Sequence, residues 1–303
     1  MNIIKPKKLQ KGDTIGILAI SGNIKEYERI ERAKEFLENE GYKVLISKTC
    51  KTSRRYLAGE SEEELISTLH DFFMNKAIDA ILCARGGFGT LKLVNKINWD
   101  IIKKNPKIFA GYSDITVLLN MMLKKTGLIT FHSPMANGDF SYELNEYTVN
   151  NFFETLQGKT KTYKAQNPKI YCRGEEKGRI WGGNLSTLTS LCGLDFIPKD
   201  NLILFFEDLN EPEYKIDKML TQLFNIKEIR QRVKGIAIGE LKDIENEALL
   251  DEIFTDFAQQ LQIPIVKGFK FTHNKTKDTI PVGTKATLNA DNGEIKLIEK
   301  YLR

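Results

Sequence analysis

The chain has 303 residues, 41% of them hydrophobic and 28% charged, with a net charge of +5. That is enough for two domains, and the basic runs "KPKK" and "QGKTKTYK" lack the interleaved aromatics that nucleic-acid binding asks for, so the charge leaves only a bias toward a small anionic substrate. Cys50, Cys83, Cys172 and Cys192 lie far apart with no C-x-x-C pair, which excludes a disulfide framework and a zinc site. No run approaches the ~18 apolar residues of a membrane span. The opening "MNIIKPKKLQKGD" has no apolar core of signal-peptide type, so a cytoplasmic, reduced protein is expected.

In chain order, "TIGILAIS" reads as an apolar strand ending at Ser21-Gly22. "EYERIERAKEFLENEG" has helical spacing and a glycine stop at Gly41, and "YKVLIS" is a second strand. "SEEELISTLHDFFMNK" opens with Ser61 and carries Glu64 three residues on, a capping-box signature. "IDAILCA" is a third strand, "RGGFGTLKLVNKI" turns into a helix, "KIFAGY" is a fourth strand and "DITVLLNMMLKKTG" another helix. Strands alternating with helices predict a parallel sheet covered on both faces, a three-layer α/β domain over residues 1–155. Sites in such sheets form at the carboxyl ends of the strands, where Ser21, the "RGGFG" loop and Ser113 fall.

From about residue 155 the texture changes. The polar, weakly periodic stretch 156–172 is expected to be a linker. After it come "RIWGGNLSTLTSLCG", a buried run "NLILFFED", an amphipathic "EYKIDKMLTQLFN", a strand "VKGIAIGE", a helix "EALLDEIFTDFAQQLQ" and a strand "IPIVKGF". A hairpin turned at Asp291-Asn292-Gly293 closes the chain. Residues 173–303 therefore read as a second, smaller, mixed α/β domain, with no internal repeat.

Ser113 stands in "GYSDIT", between a strand and a helix. It suits two roles: an N-cap, which serine favours, or a nucleophile on a tight strand-to-helix turn, where helix N–H groups receive a developing oxyanion. The loop from Arg85 to Gly89 fits a phosphate cradle without the P-loop lysine, an oxyanion donor, or a plain turn. A serine nucleophile needs a base, and there are three histidines. His70 lies within a helix, His132 follows a strand, and His273 follows a strand in the second domain. A carboxylate must hold the imidazole's tautomer. Glu207 ends an apolar strand, with Asp208 and Glu211 as rivals.

These stretches together resemble the LD-carboxypeptidases, the family that includes muramoyltetrapeptide carboxypeptidases and the microcin C self-immunity hydrolases. The landmarks are "GDTIGILA", "RGGFGT", "GYSDIT", "WGGNLSTLTSLCG", "EDLNEPEYKIDKML" and "GFKFTHNKTKDTIPVG", in that order. The resemblance implies Ser113 as nucleophile, Glu207 and His273 as its triad partners, and an oxyanion hole made by the N–H groups of Asp114 and Gly87. It implies no cofactor or metal, a homodimer, and release of terminal D-Ala from the tetrapeptide of cytoplasmic muropeptides in peptidoglycan recycling. The order Ser, Glu, His is that of α/β-hydrolases, but without their G-x-S-x-G.

A substrate carboxylate needs cationic or N–H partners. Arg85, Gly86 and the loop from Trp181 to Asn184 are the candidates, with Trp181 equally suited to interdomain packing. Ile20, Ser133, Leu194 and Thr272 depart from the residues usual in the family. Thr272, in place of a glycine before His273, bears on the pose of that ring. Because the triad draws on both domains, the site is expected at their interface. Two other readings stand beside this one. An immunity-type hydrolase of peptidyl-nucleotides would need an aromatic surface, for which the linker offers only Tyr163 and Tyr171. A non-catalytic module would use "RGGFG" to hold an anionic ligand.

Overall fold

The structure, a computed structural model, describes residues 2–303. Its first half follows the expected alternation. The strands are β1 (Thr14–Leu18), β2 (Lys43–Ile46), the short pair β3 (Ser53–Arg54) and β4 (Leu57–Ala58), β5 (Ala80–Cys83), β6 (Ile108–Gly111) and β7 (Thr130–His132). The helices are α1 (Glu28–Asn39), α2 (Glu62–Met74), α3 (Thr90–Leu93), α4 (Trp99–Lys104), α5 (Thr116–Thr126), α6 (Ala136–Asp139) and α7 (Glu146–Leu156). β2, β1, β5, β6 and β7 pair in parallel, in that order. Every residue of β5 and β6 is buried, as strands covered on both faces must be. At α2 the Ser61 hydroxyl accepts from the Glu64 N–H (3.1 Å) as the capping box requires. The Glu64 carboxylate, however, accepts from the N–H of Glu60 (2.6 Å) rather than from that of Ser61.

The second half adds strands β8 (Thr162–Lys164), β9 (Lys169–Cys172), β10 (Glu175–Asn184), β11 (Leu202–Leu209), β12 (Val233–Lys242), β13 (Ile265–Lys267), β14 (Ile280–Val282), β15 (Lys285–Asn289) and β16 (Glu294–Leu297). Its helices are α8 (Leu185–Thr189), α9 (Glu213–Phe224), α10 (Lys227–Arg232) and α11 (Glu247–Leu261). Eight strands form one sheet in the order β8-β16-β15-β10-β11-β12-β13-β9. It is parallel from β10 to β13 and antiparallel toward both edges. The hairpin of β15 and β16 turns where expected.

Two features were not readable beforehand. The stretch 156–172, expected to be a linker, supplies both edge strands of the second sheet, β8 and β9. Its polar texture is that of short edge strands with a solvated face. β14 leaves the second sheet and pairs antiparallel with β7 at the edge of the first, Ile280 opposite His132. The chain therefore crosses from one sheet to the other between β13 and β14, and His273 sits on that crossing.

The two sheets are docked through "WGGN". A Cβ on Gly182 would lie 1.9 Å from the Phe205 carbonyl oxygen, and one on Gly183 2.6 Å from the Thr116 hydroxyl, so only glycine lets β10 approach so closely. The Asn120 side chain donates to the Gly182 carbonyl (2.9 Å), and the Asn184 N–H donates to the Thr116 hydroxyl (3.1 Å). Thr116 and Asn120 belong to α5, the helix that follows Ser113. The second half is thus hydrogen-bonded to the helix that follows the candidate nucleophile.

Candidate active site

Ser113 follows β6 by two residues and has φ = 62°. A non-glycine residue in the left-handed region stores about 1–2 kcal/mol of strain. An N-cap has an extended backbone and a side chain that accepts from the helix. Ser113 has neither: no cap bond is made at the short 3₁₀ turn Ser113–Ile115 or at the start of α5. The capping role is therefore absent, and the strained turn leaves the hydroxyl in a cavity of about 330 Å³ that His273 also lines.

Gly86 packs directly on this serine. A Cβ there would lie 2.8 Å from Ser113 Cβ and 2.9 Å from its Oγ. The loop is tied down by the Gly22 N–H, which donates to the Gly86 carbonyl (3.0 Å). Asp114 braces the other side. Its buried carboxylate accepts from the Ser21 hydroxyl (2.6 Å) and the Thr90 N–H (3.0 Å), and its carbonyl accepts from the Thr90 hydroxyl (2.7 Å). Burial pushes the Asp114 carboxyl up from its ordinary value against these donors. The ends of β1, β6 and the "RGGFG" loop are thus held as one unit. The N–H groups of Asp114 and Gly87 have no protein acceptor outside regular helices and strands among the described residues, which leaves both open to an oxyanion.

Glu207 and His273 meet although 66 residues separate them: His273 Nδ1 and Glu207 Oε2 are 2.5 Å apart. Glu207 is fully buried, and its other oxygen has no partner. The register of β11 on β12 slips between Phe206 and Asp208, a bulge opposite Glu207 of the kind that re-aims side chains beside sites. Asp208 has a different task. It accepts from Asn184 Nδ2 (2.9 Å), the Ser186 N–H (2.8 Å) and the Leu209 N–H (2.9 Å). Burial, with the neighbouring Glu207 charge, pushes the Asp208 carboxyl up to about 6. Glu211 pairs with Lys215 on α9 (3.2 Å). Only one of the three acids touches a histidine.

His273 is held from several sides. Its ring meets that of Tyr112 edge-on, 4.9 Å between centroids. Thr272 bonds to the Glu240 carboxylate on β12, and the Asn274 N–H donates back to the Thr272 hydroxyl (2.8 Å). The threonine that replaces a glycine is therefore an anchor for the loop. No hydrogen bond joins the Ser113 hydroxyl to His273. Such bonds commonly tighten only when substrate arrives.

The other expectations fare differently. His70 accepts from the Asn98 N–H (3.0 Å) and stands outside the cavity. His132 is buried, packs edge-on against Phe205, and burial pulls its imidazole down to about 4, so it is neutral. Arg85, Gly86 and Gly87 line the cavity. Trp181 and Asn184 do not. Trp181 is fully buried against Phe196, 5.7 Å between ring centroids. Asn184 spends its carboxamide on Asp208 and on capping α8 through the Thr187 N–H (3.0 Å). The expectation that they bind substrate is corrected: both serve the packing that docks β10 on its neighbours.

Residues 15–133 match the LD-carboxypeptidase N-terminal domain and residues 177–288 the LD-carboxypeptidase C-terminal domain. The chain belongs to the LD-carboxypeptidase family. It is 35% identical over 294 residues to the probable murein peptide carboxypeptidase of Bacillus subtilis, covering 94% of this chain and 91% of that one. The muramoyltetrapeptide carboxypeptidase of Oxalobacter formigenes superposes with a TM-score of 0.83 at 28% identity, covering 94% of this chain and 97% of that one. The microcin C7 self-immunity protein MccF, solved in complex with aspartyl sulfamoyl adenosine, does so with a TM-score of 0.90 at 27% identity, covering 99% of this chain and all of that one.

This LD-carboxypeptidase also carries a buried strut that sequence reasoning missed. Lys277, four residues past His273, donates to the Tyr112 hydroxyl (3.1 Å) and to Asp139 Oδ1 on α6 (2.6 Å). The Lys277 side chain is buried and that of Asp139 nearly so. Lys277 thus joins the His273 loop to the residue before Ser113 and to the α6 wall of the cavity. The only available signal was a lysine-rich loop, whose usual reading is a solvated surface. Lys277→Met strands the Asp139 carboxylate and is expected to cost about 3–5 kcal/mol of stability. Adding Asp139→Asn should restore most of it. Urea unfolding measures both; a double variant no more stable than the single one would show that the pair is not what holds the loop.

Proposed function

We propose that the protein is a serine carboxypeptidase that cuts the L,D-peptide bond of muropeptides and releases the terminal D-Ala of the tetrapeptide. The observation that carries this reading is the Glu207–His273 pair, 2.5 Å apart, whose histidine lines the cavity that holds Ser113 on its strained turn while the glutamate is buried behind it. Glu207 accepts a hydrogen bond from the Nδ1–H of His273 and so leaves Nε2 free to accept the Ser113 proton. Ser113 then attacks the scissile carbonyl. The N–H groups of Asp114 and Gly87 receive the oxyanion, His273 returns the proton to the leaving amine, and water releases the acyl-enzyme. Arg85, held by its bond to the Asn23 carbonyl (2.9 Å), pairs with the terminal carboxylate. The reading includes a homodimer acting in the cytoplasm on recycled peptidoglycan.

The likeness to MccF favours a second reading, hydrolysis of a peptidyl-nucleotide. It asks for an open aromatic surface at the cavity, whereas Tyr112, which lines it, is nearly buried and lies edge-on against His273. Tyr163 is instead buried, its hydroxyl donating to the Thr279 carbonyl (2.8 Å), and Tyr171 packs edge-on against Phe254. The carboxypeptidase is preferred for that reason. Release of D-Ala from a purified muropeptide tetrapeptide tests it. Release by the parent chain is expected; no release, with turnover of an aminoacyl sulfamoyl nucleoside, would favour the second reading.

A further inference from the structure

His273 sits on a loop. It lies on the crossing between β13 and β14, outside any strand or helix, so its placement depends on what holds its neighbours. One side chain holds both of them. The Glu240 carboxylate on β12 accepts from the Thr272 hydroxyl with one oxygen and from Asn274 Nδ2 with the other, the second at 2.5 Å. The Glu240 N–H also donates to the Phe271 carbonyl (2.8 Å). Residues 271, 272 and 274 are thus tied to one residue, and His273 between them turns the other way, to Glu207.

The backbone of β12 is shaped for this clamp. Between the pairs Phe206–Ile238 and Asp208–Leu241, β11 has only Glu207, whereas β12 has both Gly239 and Glu240. The extra residue breaks the alternation of β12 as a bulge does. It sets the two acids side by side at the carboxyl ends of adjacent parallel strands. A Cβ on Gly239 would lie 2.3 Å from the Phe271 carbonyl oxygen, so only glycine lets the crossing pass this close.

We infer that Glu240 is a positioning residue of the triad: it fixes the His273 loop through Thr272 and Asn274, as Glu207 fixes the imidazole itself. This rests on the reading of His273 as the base for Ser113. Glu240 does not line the cavity of Ser113, so it touches no substrate and takes no proton from it. Its loss leaves binding alone and lets the imidazole drift from the hydroxyl, and a drift of about 1 Å costs ~10²-fold in rate.

The test is turnover of a muropeptide tetrapeptide and of an aminoacyl sulfamoyl nucleoside, since the clamp serves His273 whichever of the two is cut. Glu240→Ala should lower kcat by ~10²-fold and leave KM within about twofold of its wild-type value. Glu240→Gln should bring kcat back to within about fivefold of wild type, because its amide oxygen accepts from Thr272 and its amide N–H donates to an Asn274 side chain turned to present oxygen. Thr272→Val should lower kcat about tenfold in the wild-type chain and scarcely further beside Glu240→Ala, where its partner is already gone. If melting shows that Glu240→Ala does not fold, Thr272→Val carries the same comparison of kcat with KM. Wild-type kcat in a folded Glu240→Ala or Thr272→Val, a loss in Glu240→Gln as large as in Glu240→Ala, additive losses, or a rise in KM at constant kcat would each overturn the clamp. Wild-type turnover of the nucleoside alone would overturn the carboxypeptidase reading, and the same variants read on that substrate would decide the clamp. Turnover of neither would overturn the triad and the clamp with it.

Discussion

Ser113→Ala is expected to cut D-Ala release from a muropeptide tetrapeptide by at least ~10³-fold, and His273→Ala by as much. The size follows from the proposed roles. Without the hydroxyl no acyl-enzyme forms. Without the imidazole the hydroxyl keeps its proton and is a poor nucleophile. Since the two act as a unit, the double variant should be scarcely worse than either single one. Melting temperatures separate chemistry from folding. Alanine at position 113 keeps the strained φ of 62° but removes no hydrogen bond on which the fold depends, so the protein should stay folded. Near-normal turnover in either variant would sink the triad assignment and revive the reading of "RGGFG" as a non-catalytic anion cradle.

The second large effect separates two adjacent acids. Glu207→Gln should lower turnover by ~10³–10⁴-fold, because an amide in place of the carboxylate disturbs the imidazole tautomer and no longer balances the imidazolium. Asp208→Asn should act on stability instead. Its carboxylate accepts from two backbone N–H groups and from Asn184. An amide turns one acceptor into a donor against a donor, a loss of about 1–3 kcal/mol. Denaturant unfolding should register Asp208→Asn and turnover should register Glu207→Gln. Equal kinetic losses would show that the wrong acid has been assigned. The geometry argues otherwise: each carboxylate is buried, but only Glu207 touches His273.

Much of the scaffold was legible because its signals are local. Apolar runs of strand length alternating with amphipathic helical spacing lead to a parallel sheet, and the end of β6 is where such sheets carry sites. "GYSD" marked a turn that enters the cavity for the same reason. "WGGN" misled because a glycine pair signals a close approach without saying what approaches. Here it is the Phe205 carbonyl and Thr116 rather than a substrate. The stretch 156–172 misled because a three- or four-residue edge strand is too short to show alternation.

The sequence by itself determined the alternation of strands and helices in the first half, the turn on which Ser113 sits, and, through resemblance, which serine, acid and histidine to watch. Tertiary structure alone decided the rest. It showed that Ser113 caps nothing, that Glu207 rather than Asp208 or Glu211 reaches His273, and that Lys277 is a buried strut. It also tied Glu240 to both neighbours of His273. The physical reason for the last three is that they are contacts across the chain, whereas the turn at Ser113 depends on a backbone angle that no periodicity encodes. A backbone periodicity repeats within a few residues and can be read along the chain. A contact between side chains distant in the chain exists only once the fold is closed, as when β14 crosses to the first sheet and carries the His273 loop and Lys277 with it.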